Sequence, residues 1–293
     1  MILVTGAAGY IGSHCVLSLL KNNFDVIIFD NLELGHQKTI EYLKEQNLNG
    51  KIVDFIQGDL KNPDDINNVF DKYKIRSVMH FAAYSQVGES IQNPLKYYKN
   101  NVLGSLNLLN SMINYKVLKI VFSSTAAVYG EPIEIPITEN HLLLPINPYG
   151  QSKLFVEKIL DDFDKAYALK SIRLRYFNVA GANSDCLLGE IHIPETHLIP
   201  NIIKSALSNN SREFELFGND YNTPDGTCIR DYINVEDLAD AHLLALKKLL
   251  SDSKSDVFNL GTNKGNSVKE VFDTCEYSVP KCQDIFFTCC LNS

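Results

Sequence analysis

A tyrosine and a lysine, Tyr149 and Lys153, stand four residues apart at the beginning of an amphipathic segment. This spacing places both side chains on one face of a helix. A tyrosine with its ordinary pKa of about 10 is a poor proton acceptor at neutral pH, but a nearby ammonium favours the phenolate. The pair can therefore exchange a proton with a substrate hydroxyl. The alternative is an aromatic ring packed at a helix start beside a solvated lysine.

Hydroxyl side chains close the apolar run at 119–123, where Ser123, Ser124 and Thr125 stand in a row. The run is short and β-branched, as expected of a buried strand. Open α/β sheets bind ligands beyond the carboxyl ends of their strands, so a hydroxyl there would face the same cleft as Tyr149 and Lys153. We therefore group Thr125 with these two residues as the candidate catalytic set.

Three glycines, Gly6, Gly9 and Gly12, follow the first apolar run at 2–4 and precede an apolar helical pattern. Such glycines permit a tight turn, a close approach of the backbone to a pyrophosphate, and close packing of a helix whose N-terminus faces the phosphates. The spacing therefore predicts a dinucleotide-binding loop, although glycines also serve plain turns.

The second apolar run ends in Asp30, 18 residues beyond Gly12, where the dinucleotide-binding pattern places a carboxylate for the ribose hydroxyls. A carboxylate repels a 2′-phosphate, and neither Asn31 nor Leu32 supplies the positive charge that NADP needs. We therefore predict NAD as the cofactor, with an ordinary strand-end cap as the alternative role of Asp30. The positive nicotinamide ring would also favour the phenolate of Tyr149.

The elements that must position these residues are short apolar runs separated by stretches long enough for helices. The runs lie at 2–4, 26–29, 52–56, 77–82, 119–123 and 171–177. Buried strands that alternate with helices predict an α/β fold, a Rossmann-type doubly wound parallel sheet covered on both faces. Helices are expected at 149–169 and 237–250, and a last strand at 257–260 is expected to rejoin the sheet. The turn-rich stretch at 181–235 predicts a second domain.

Composition excludes several classes of function. The chain has 27 basic and 35 acidic residues, a net charge of −8, and no basic run, which argues against nucleic acid as a partner. No stretch approaches about 18 apolar residues and no signal peptide is recognisable, so we expect no membrane association and a cytoplasmic location. The seven cysteines include no C-x-x-C pair, so we expect reduced thiols and no metal site.

Motifs along nearly the whole chain resemble the UDP-glucose 4-epimerase family of the extended short-chain dehydrogenase/reductase superfamily. They are V-T-G-A-A-G-Y-I-G-S-H at 4–14, F-D-N-L at 29–32, H-F-A-A at 80–83, V-G-E-S at 87–90, S-S-T-A-A-V-Y-G at 123–130, N-P-Y-G-Q-S-K at 147–153, R-Y-F-N at 175–178, F-G-N-D-Y at 217–221 and D-G-T-C-I-R-D-Y-I at 225–233. The last two are typical of the substrate domain of this family.

The resemblance implies a role for each matching position. Beyond the glycines, the residues implied to line NAD are Tyr10, Ile11, Asp30, Asn31, Leu32, Glu33, Leu34, Gly35, Asp59, Leu60, Phe81, Ala82, Ala83, Tyr84, Ser85, Asn100, Lys153 and Phe177. Those implied to hold the UDP part are Asn178, His197, Leu198, Phe217 and Arg230. Arg230 would bring bidentate charge to the pyrophosphate; its alternative is a salt bridge to Asp231.

The reaction that the resemblance implies is a reversible interconversion of UDP-glucose and UDP-galactose. Tyr149 would be the base for the 4-hydroxyl, Thr125 would hydrogen-bond to that oxygen, and Lys153 would hold the ribose and tune Tyr149. The 4-keto sugar would turn over and receive hydride on its other face while NAD stays bound. The implied organisation is an NAD-binding domain at 1–180, an incomplete nucleotide-sugar-binding domain at 181–272 and a divergent tail at 273–293, with a homodimer as the assembly.

Two departures from the family pattern stand out. Many bacterial members carry a lysine at the position of Ser85, so one cofactor contact is expected to be missing. The similarity also stops near Phe272, before the R-R-P-G-D segment whose arginine grips the UDP phosphates, and the Cys-rich tail has no counterpart. The tail contains Cys275, Cys282, Cys289 and Cys290 without the paired spacing of zinc ligands. A truncated form that binds NAD but turns over slowly is therefore one alternative.

A related NAD-dependent nucleotide-sugar enzyme, a 4,6-dehydratase or a decarboxylase, is the other alternative. Such enzymes resemble the same scaffold but need an acidic residue just after the threonine for chemistry at C5 or C6. Ala126 and Ala127 occupy those positions and provide none. The sequence therefore favours an epimerase.

Overall fold

The short apolar runs form seven parallel strands of one sheet. The computed structural model describes residues 1–46, 48–207, 214–278 and 287–290. The strands of this sheet are β1 Ile2–Thr5, β2 Val26–Asp30, β3 Ile52–Gln57, β4 Ser77–His80, β5 Lys119–Ser123, β6 Lys170–Tyr176 and β10 Asp256–Leu260. Their spatial order is β10-β6-β5-β4-β1-β2-β3, and every neighbouring pair is parallel. The predicted doubly wound sheet is confirmed, and the expected last strand does rejoin it.

Helices return the chain between these strands. They are α1 Tyr10–Lys21, α2 Gln37–Glu45, α3 Pro63–Lys72, α4 Val87–Gln92, α5 Pro94–Tyr97, α6 Gly104–Asn114, α7 Pro148–Tyr167 and α9 Val235–Asp252. A π-helical turn at Tyr98–Leu103 joins α5 to α6. Helix α7 begins after Asn147, whose side chain accepts a hydrogen bond from the Gly150 amide, and it ends at Ala168 with a positive φ of 57°. The two helices expected from the sequence are confirmed within a few residues.

Successive side chains of each strand point to opposite faces of the sheet, so the core has two parts, one on each face. Ile2 and Val4 of β1 pack on one face with Leu19 and Leu246, from helices α1 and α9. Leu3 lies in the core of the opposite face, which helices α3, α6 and α7 cover with side chains that include Ile66, Met112 and Leu160. Both faces are thus covered, as expected for a parallel sheet.

The chain divides into two compact units. The first comprises 1–177, 181–189 and 234–260, and the second comprises 178–180, 190–233 and 261–293. The boundaries expected from the sequence were contiguous, whereas these units are interleaved, because strand β10 returns to the edge of the sheet beside β6.

The second unit contains shorter elements. A three-stranded sheet has the order β11-β9-β7, from β7 Asn178–Ala180, β9 Ile229–Asn234 and β11 Gly265–Ser267. Strands β8 Phe214–Phe217 and β12 Phe287–Cys290 form a parallel pair, so part of the expected divergent tail is a strand. Helices α8 Leu198–Leu207 and α10 Val268–Ser278 pack through Ile202, Ala206 and Phe272.

Within the described ranges, no helix combines the length and apolar character that a bilayer crossing requires.

Candidate active site

The glycine loop joins β1 to α1 at the point where the strand order reverses. Gly6 has a positive φ of 73°, and a Cβ on it would lie 2.5 Å from the Ala82 nitrogen. Gly9 precedes the first turn of α1, and a Cβ on Gly12 would lie 2.2 Å from the Gly6 carbonyl oxygen. The loop therefore leaves no room for a side chain at Gly6 or Gly12. The first backbone N–H groups of α1 are available to an anion. This geometry fits the pyrophosphate of a dinucleotide.

Gly12→Ala is expected to reduce the affinity for NAD about tenfold or more, because the added methyl must push the loop away from α1 at a cost of about 1–3 kcal/mol. Gly88→Ala is the matched control, since a Cβ on Gly88 would meet no atom within 4 Å. The measurement is the NAD content of the purified variants and their affinity by fluorescence titration. Equal binding by both variants would contradict the assignment of the loop.

Asp30 ends β2 and is buried. Its Oδ2 accepts a hydrogen bond from the Ala8 amide at 3.0 Å, and its Oδ1 accepts one from the Leu32 amide at 2.9 Å. Burial raises the pKa of its carboxyl, and the two amides oppose that rise. The expected capping role is therefore present, but each carboxylate oxygen retains a further acceptor position for a ribose hydroxyl. A Cβ on Gly35 would lie 2.9 Å from Oδ1, so the backbone closes tightly around this carboxylate.

The remaining predicted cofactor residues of the first unit mostly follow the carboxyl ends of neighbouring strands. Asn31, at the end of β2, donates to Asp59 beyond β3 over 3.3 Å. Tyr84, beyond β4, donates its hydroxyl to Glu33 in a short hydrogen bond. The sheet thus brings together the residues that follow β2, β3 and β4, at the carboxyl ends of these strands. Open α/β sheets hold their ligands at this position.

The candidate catalytic side chains meet at the carboxyl end of β5. Tyr149 and Lys153 lie on the first turns of α7 and are buried, and Thr125 begins the 3-10 turn Ala126–Val128 that follows the strand. A side-chain hydrogen bond joins Thr125 to the Tyr149 phenol. The Lys153 Nζ donates to the Ser123 carbonyl oxygen at 2.8 Å and lies 5.0 Å from the centre of the Phe122 ring. The structure therefore brings the three predicted residues together.

Burial dominates the electrostatics of this set. Burial raises the pKa of the Tyr149 phenol, and the hydrogen bond with Thr125 only partly opposes that rise. Burial also lowers the pKa of the Lys153 ammonium to about 7, against the attraction of Glu157. The expected lowering of the Tyr149 pKa by Lys153 and the nicotinamide ring together stays a prediction. A usable phenolate now depends on the positive ring of the oxidised cofactor.

Two polar residues that support the set, Asn101 and His80, were not predicted from the sequence. Asn101 is buried, accepts from the Tyr84 amide at 2.9 Å and donates to the Ser152 hydroxyl at 3.0 Å. His80 bonds Thr5 at 2.7 Å and Ser105 at 2.8 Å, and burial lowers its pKa to about 3. The predicted Asn100 stands beside this network and donates to Asn101 at 3.1 Å. These partners are distant in the chain, so no local pattern marks them.

A buried ion pair lies behind the catalytic helix. Glu157 stands one turn beyond Lys153 and accepts from Arg175 of β6 through both oxygens, at 2.5 to 3.2 Å. It also accepts from the Ser124 hydroxyl at 2.5 Å, next to Thr125. The pair therefore ties α7, β5 and β6 together directly beneath the catalytic side chains.

The residues predicted to hold UDP lie in the second unit. Asn178 is on β7 and Arg230 on the neighbouring strand β9, so one sheet carries both. His197 and Leu198 stand at the start of α8, and Phe217 ends β8 with 68% of its side chain exposed.

Arg230 does not form the salt bridge that was its alternative role. Within the described residues its side chain takes part in no ion pair, and Nη1 donates to the Ile229 carbonyl oxygen at 2.8 Å. Asp231 instead accepts from the amides of Thr262 and Asn263 at 2.8 and 2.9 Å. The exposed guanidinium of Arg230 is thus available to a ligand.

The strand order, the glycine loop and the tyrosine-lysine helix together define a Rossmann-type, dinucleotide-binding class of protein. The model of the NAD dependent epimerase/dehydratase family matches residues 2–261, and the chain belongs to this family.

Individual relatives indicate which members of this family the chain resembles. The UDP-glucose 4-epimerase of Lactobacillus helveticus is 51% identical over 275 residues, which are 94% of this chain and 80% of that protein. The crystal structure of UDP-glucose 4-epimerase from Brucella ovis in complex with NAD superposes with a TM-score of 0.90 and 39% sequence identity. The match covers 100% of this chain and 86% of the Brucella ovis chain. The Bifidobacterium longum enzyme with NAD⁺ and UDP has a TM-score of 0.89 and 38% identity, with 99% and 85% coverage.

These similarities confirm the predicted resemblance to UDP-glucose 4-epimerases, the predicted fold class and the predicted NAD dependence. The roles of the individual residues stay predictions.

Proposed function

We propose that this chain interconverts UDP-glucose and UDP-galactose through a 4-keto intermediate with NAD tightly bound. The observation that carries the proposal is the buried set of Thr125, Tyr149 and Lys153 at the carboxyl end of a strand in a sheet that begins with a glycine loop. Its relatives that share about half of its residues are UDP-glucose 4-epimerases.

NAD, which the glycine loop and Asp30 would hold, would supply reversible hydride transfer at C4 of the sugar. Tyr149 takes the proton of the 4-hydroxyl and gives it back in the second half of the reaction. Thr125 orients the oxygen that exchanges this proton, and Lys153 holds the ribose. Burial excludes water from the phenol, which keeps the exchanged proton at the site.

The nucleotide is held by residues of the second unit. Arg230 places its guanidinium on the pyrophosphate, and Asn178, His197, Leu198 and Phe217 hold the rest of the UDP part. A tight grip on UDP and a loose grip on the hexose permit the 4-keto sugar to turn over without leaving.

A dehydratase or decarboxylase is not favoured. The residues directly after Thr125 are Ala126 and Ala127, which form the 3-10 turn and carry no proton-transfer group. This segment therefore supplies no acid or base for chemistry at C5 or C6 of the 4-keto sugar.

The test is a coupled assay for UDP-glucose from UDP-galactose with the purified chain and no added NAD. We expect turnover, and one NAD per chain after release by denaturation. A chain with a full complement of NAD and no conversion would contradict the proposed reaction. The matched blank is Lys153→Met, which removes the ammonium from the catalytic set.

We also propose a homodimer through helices α4 to α7. This region exposes several large apolar side chains, with Leu95 and Ile91 exposed to 60% and 61%, and the Tyr98 and Phe155 rings pair at 5.9 Å. Leu103 and Leu106 add to the exposed apolar surface. Adjacent exposed apolar residues of this kind mark association surfaces.

A cytoplasmic location stays a prediction from the sequence.

Leu95→Glu is expected to convert the dimer to a monomer, because it places a charge within an apolar interface. Leu142→Glu is the matched control, since Leu142 is also 60% exposed but lies outside these helices. The molar mass from light scattering should halve only for Leu95→Glu. A parent protein with the mass of one chain would refute the proposed surface.

A further inference from the structure

Four side chains of one short segment converge in the second unit. Glu190, His192, Glu195 and His197 place one ligand atom each within 4.8 Å of all the others. The Nδ1 of His197 lies 2.8 Å from Glu195 Oε1 and 3.1 Å from Glu190 Oε1. The Nδ1 of His192 lies 3.4 Å from Glu190 Oε1 and 3.8 Å from Glu195 Oε1. Two ring nitrogens and two carboxylate oxygens therefore alternate around one centre.

The separations match those of ligands around a small cation. Zinc bonds of 2.0–2.1 Å in a tetrahedron place neighbouring ligand atoms about 3.4 Å apart. The four nitrogen–oxygen separations of 2.8 to 3.8 Å lie on both sides of this value. A set of two imidazoles and two carboxylates is also a donor combination that suits zinc.

Two buried carboxylates stand side by side in this cluster. The side chains of Glu190 and Glu195 are only 9% and 4% exposed, and their facing oxygens are close enough to repel. Lys204 of α8 lies 3.6 Å from Glu195 Oε2, the oxygen that faces away from the ring nitrogens. Two buried carboxylates with one lysine at the side are better balanced by a divalent cation.

We propose that Glu190, His192, Glu195 and His197 bind one Zn²⁺ ion. Four protein ligands close the coordination shell, which is typical of a structural rather than a catalytic zinc site. The ion fixes the segment that leads into α8, where the proposed UDP ligands His197 and Leu198 stand. Lys204 holds the second oxygen of Glu195, as partners of ligating carboxylates do. The zinc site rests on the proposed function only in that it shares His197 with the proposed UDP site, and it supplies no group to the proposed proton and hydride transfer.

The test is a zinc titration of the full purified chain after treatment with a chelator and a reductant. Competition with a chromophoric chelator should show one high-affinity Zn²⁺ per chain. Co²⁺ at the same site should give visible d–d absorption without thiolate charge-transfer bands, since the ligands are nitrogen and oxygen. Mg²⁺ should not displace either ion, because imidazole is a poor ligand for it.

Three substitutions make the assignment specific. Glu190→Gln and His192→Gln, which keep side-chain size, should each weaken Zn²⁺ binding by about tenfold or more. His141→Gln is the matched control, because its ring bonds the Ile133 amide and lies outside the cluster. Retained NAD content and an unchanged circular dichroism spectrum establish that each variant is folded.

Two results would overturn the proposal. The first is a chain that takes up no Zn²⁺ in this titration, which would show that protonated histidines neutralise the carboxylates. The second is Zn²⁺ uptake that persists in Glu190→Gln and His192→Gln, or a Co²⁺ spectrum with thiolate bands, which would assign the ion to the cysteines instead.

Discussion

Tyr149→Phe is expected to lower the rate of epimerisation by about a thousandfold, within the range of about 10²–10⁴ that positioned proton transfer contributes. The substitution removes the only group of the catalytic set that we assign to exchange a proton with the 4-hydroxyl, and it leaves the ring in place. Because burial raises the pKa of this phenol, the rate of the parent protein should rise with pH until the phenolate predominates. The measurement is the turnover number of UDP-galactose conversion as a function of pH.

Tyr97→Phe provides the matched control. Tyr97 is buried in the same aromatic cluster as Tyr149 and Tyr84, but its hydroxyl donates to the Gln86 carbonyl oxygen at 2.6 Å. Its loss should cost about 1 kcal/mol of stability and little activity. If Tyr149→Phe and Tyr97→Phe turned over at similar rates with NAD bound, the role of Tyr149 would have to be abandoned.

Glu157→Leu is expected to lower the free energy of unfolding by about 3–5 kcal/mol, because it leaves the guanidinium of Arg175 buried without a counter-charge. The side chains of Glu157 and Arg175 are 2% and 4% exposed. The hydroxyl of Ser124 also loses its acceptor, so the position of Thr125 and hence the turnover number should suffer as well. Chemical denaturation monitored by circular dichroism measures the change.

Two further variants separate the ion pair from general damage. The double variant Glu157→Leu with Arg175→Met should recover most of the lost stability, because no buried charge remains. Asp161→Leu breaks the partly exposed ion pair with Arg173, which lies on β6 like Arg175. This change should lower the free energy of unfolding by no more than about 1 kcal/mol. A double variant as unstable as Glu157→Leu would show that the loss comes from packing.

The sequence was most informative where structure depends on neighbouring residues. Runs of β-branched residues predicted the strands, and the spacing of Gly6, Gly9 and Gly12 predicted the loop, because both are properties of a few consecutive positions. The four-residue spacing of Tyr149 and Lys153 likewise predicted their common helix face. The rise that burial causes in the pKa of Tyr149 could not be predicted in this way, because residues from several elements bury the phenol.

Features that join distant segments were missed. Asn101 and Ser152 meet although 51 positions separate them, and Glu157 and Arg175 meet across a helix and a strand. The cluster at 190–197 carried a local signal, the alternation of glutamate and histidine in E-I-H-I-P-E-T-H. This alternation alone does not predict a metal site, because nothing in a turn-rich segment indicates which side chains converge.

The interleaved connectivity of the two units has a consequence for synthesis on the ribosome. Strand β6 ends at Tyr176, but its outer neighbour β10 is not made until residue 260 has been added. At translation rates of about 5–20 residues per second, β6 waits for several seconds with an open edge. The nascent chain therefore passes through an aggregation-prone stage that ends only when this late strand leaves the exit tunnel.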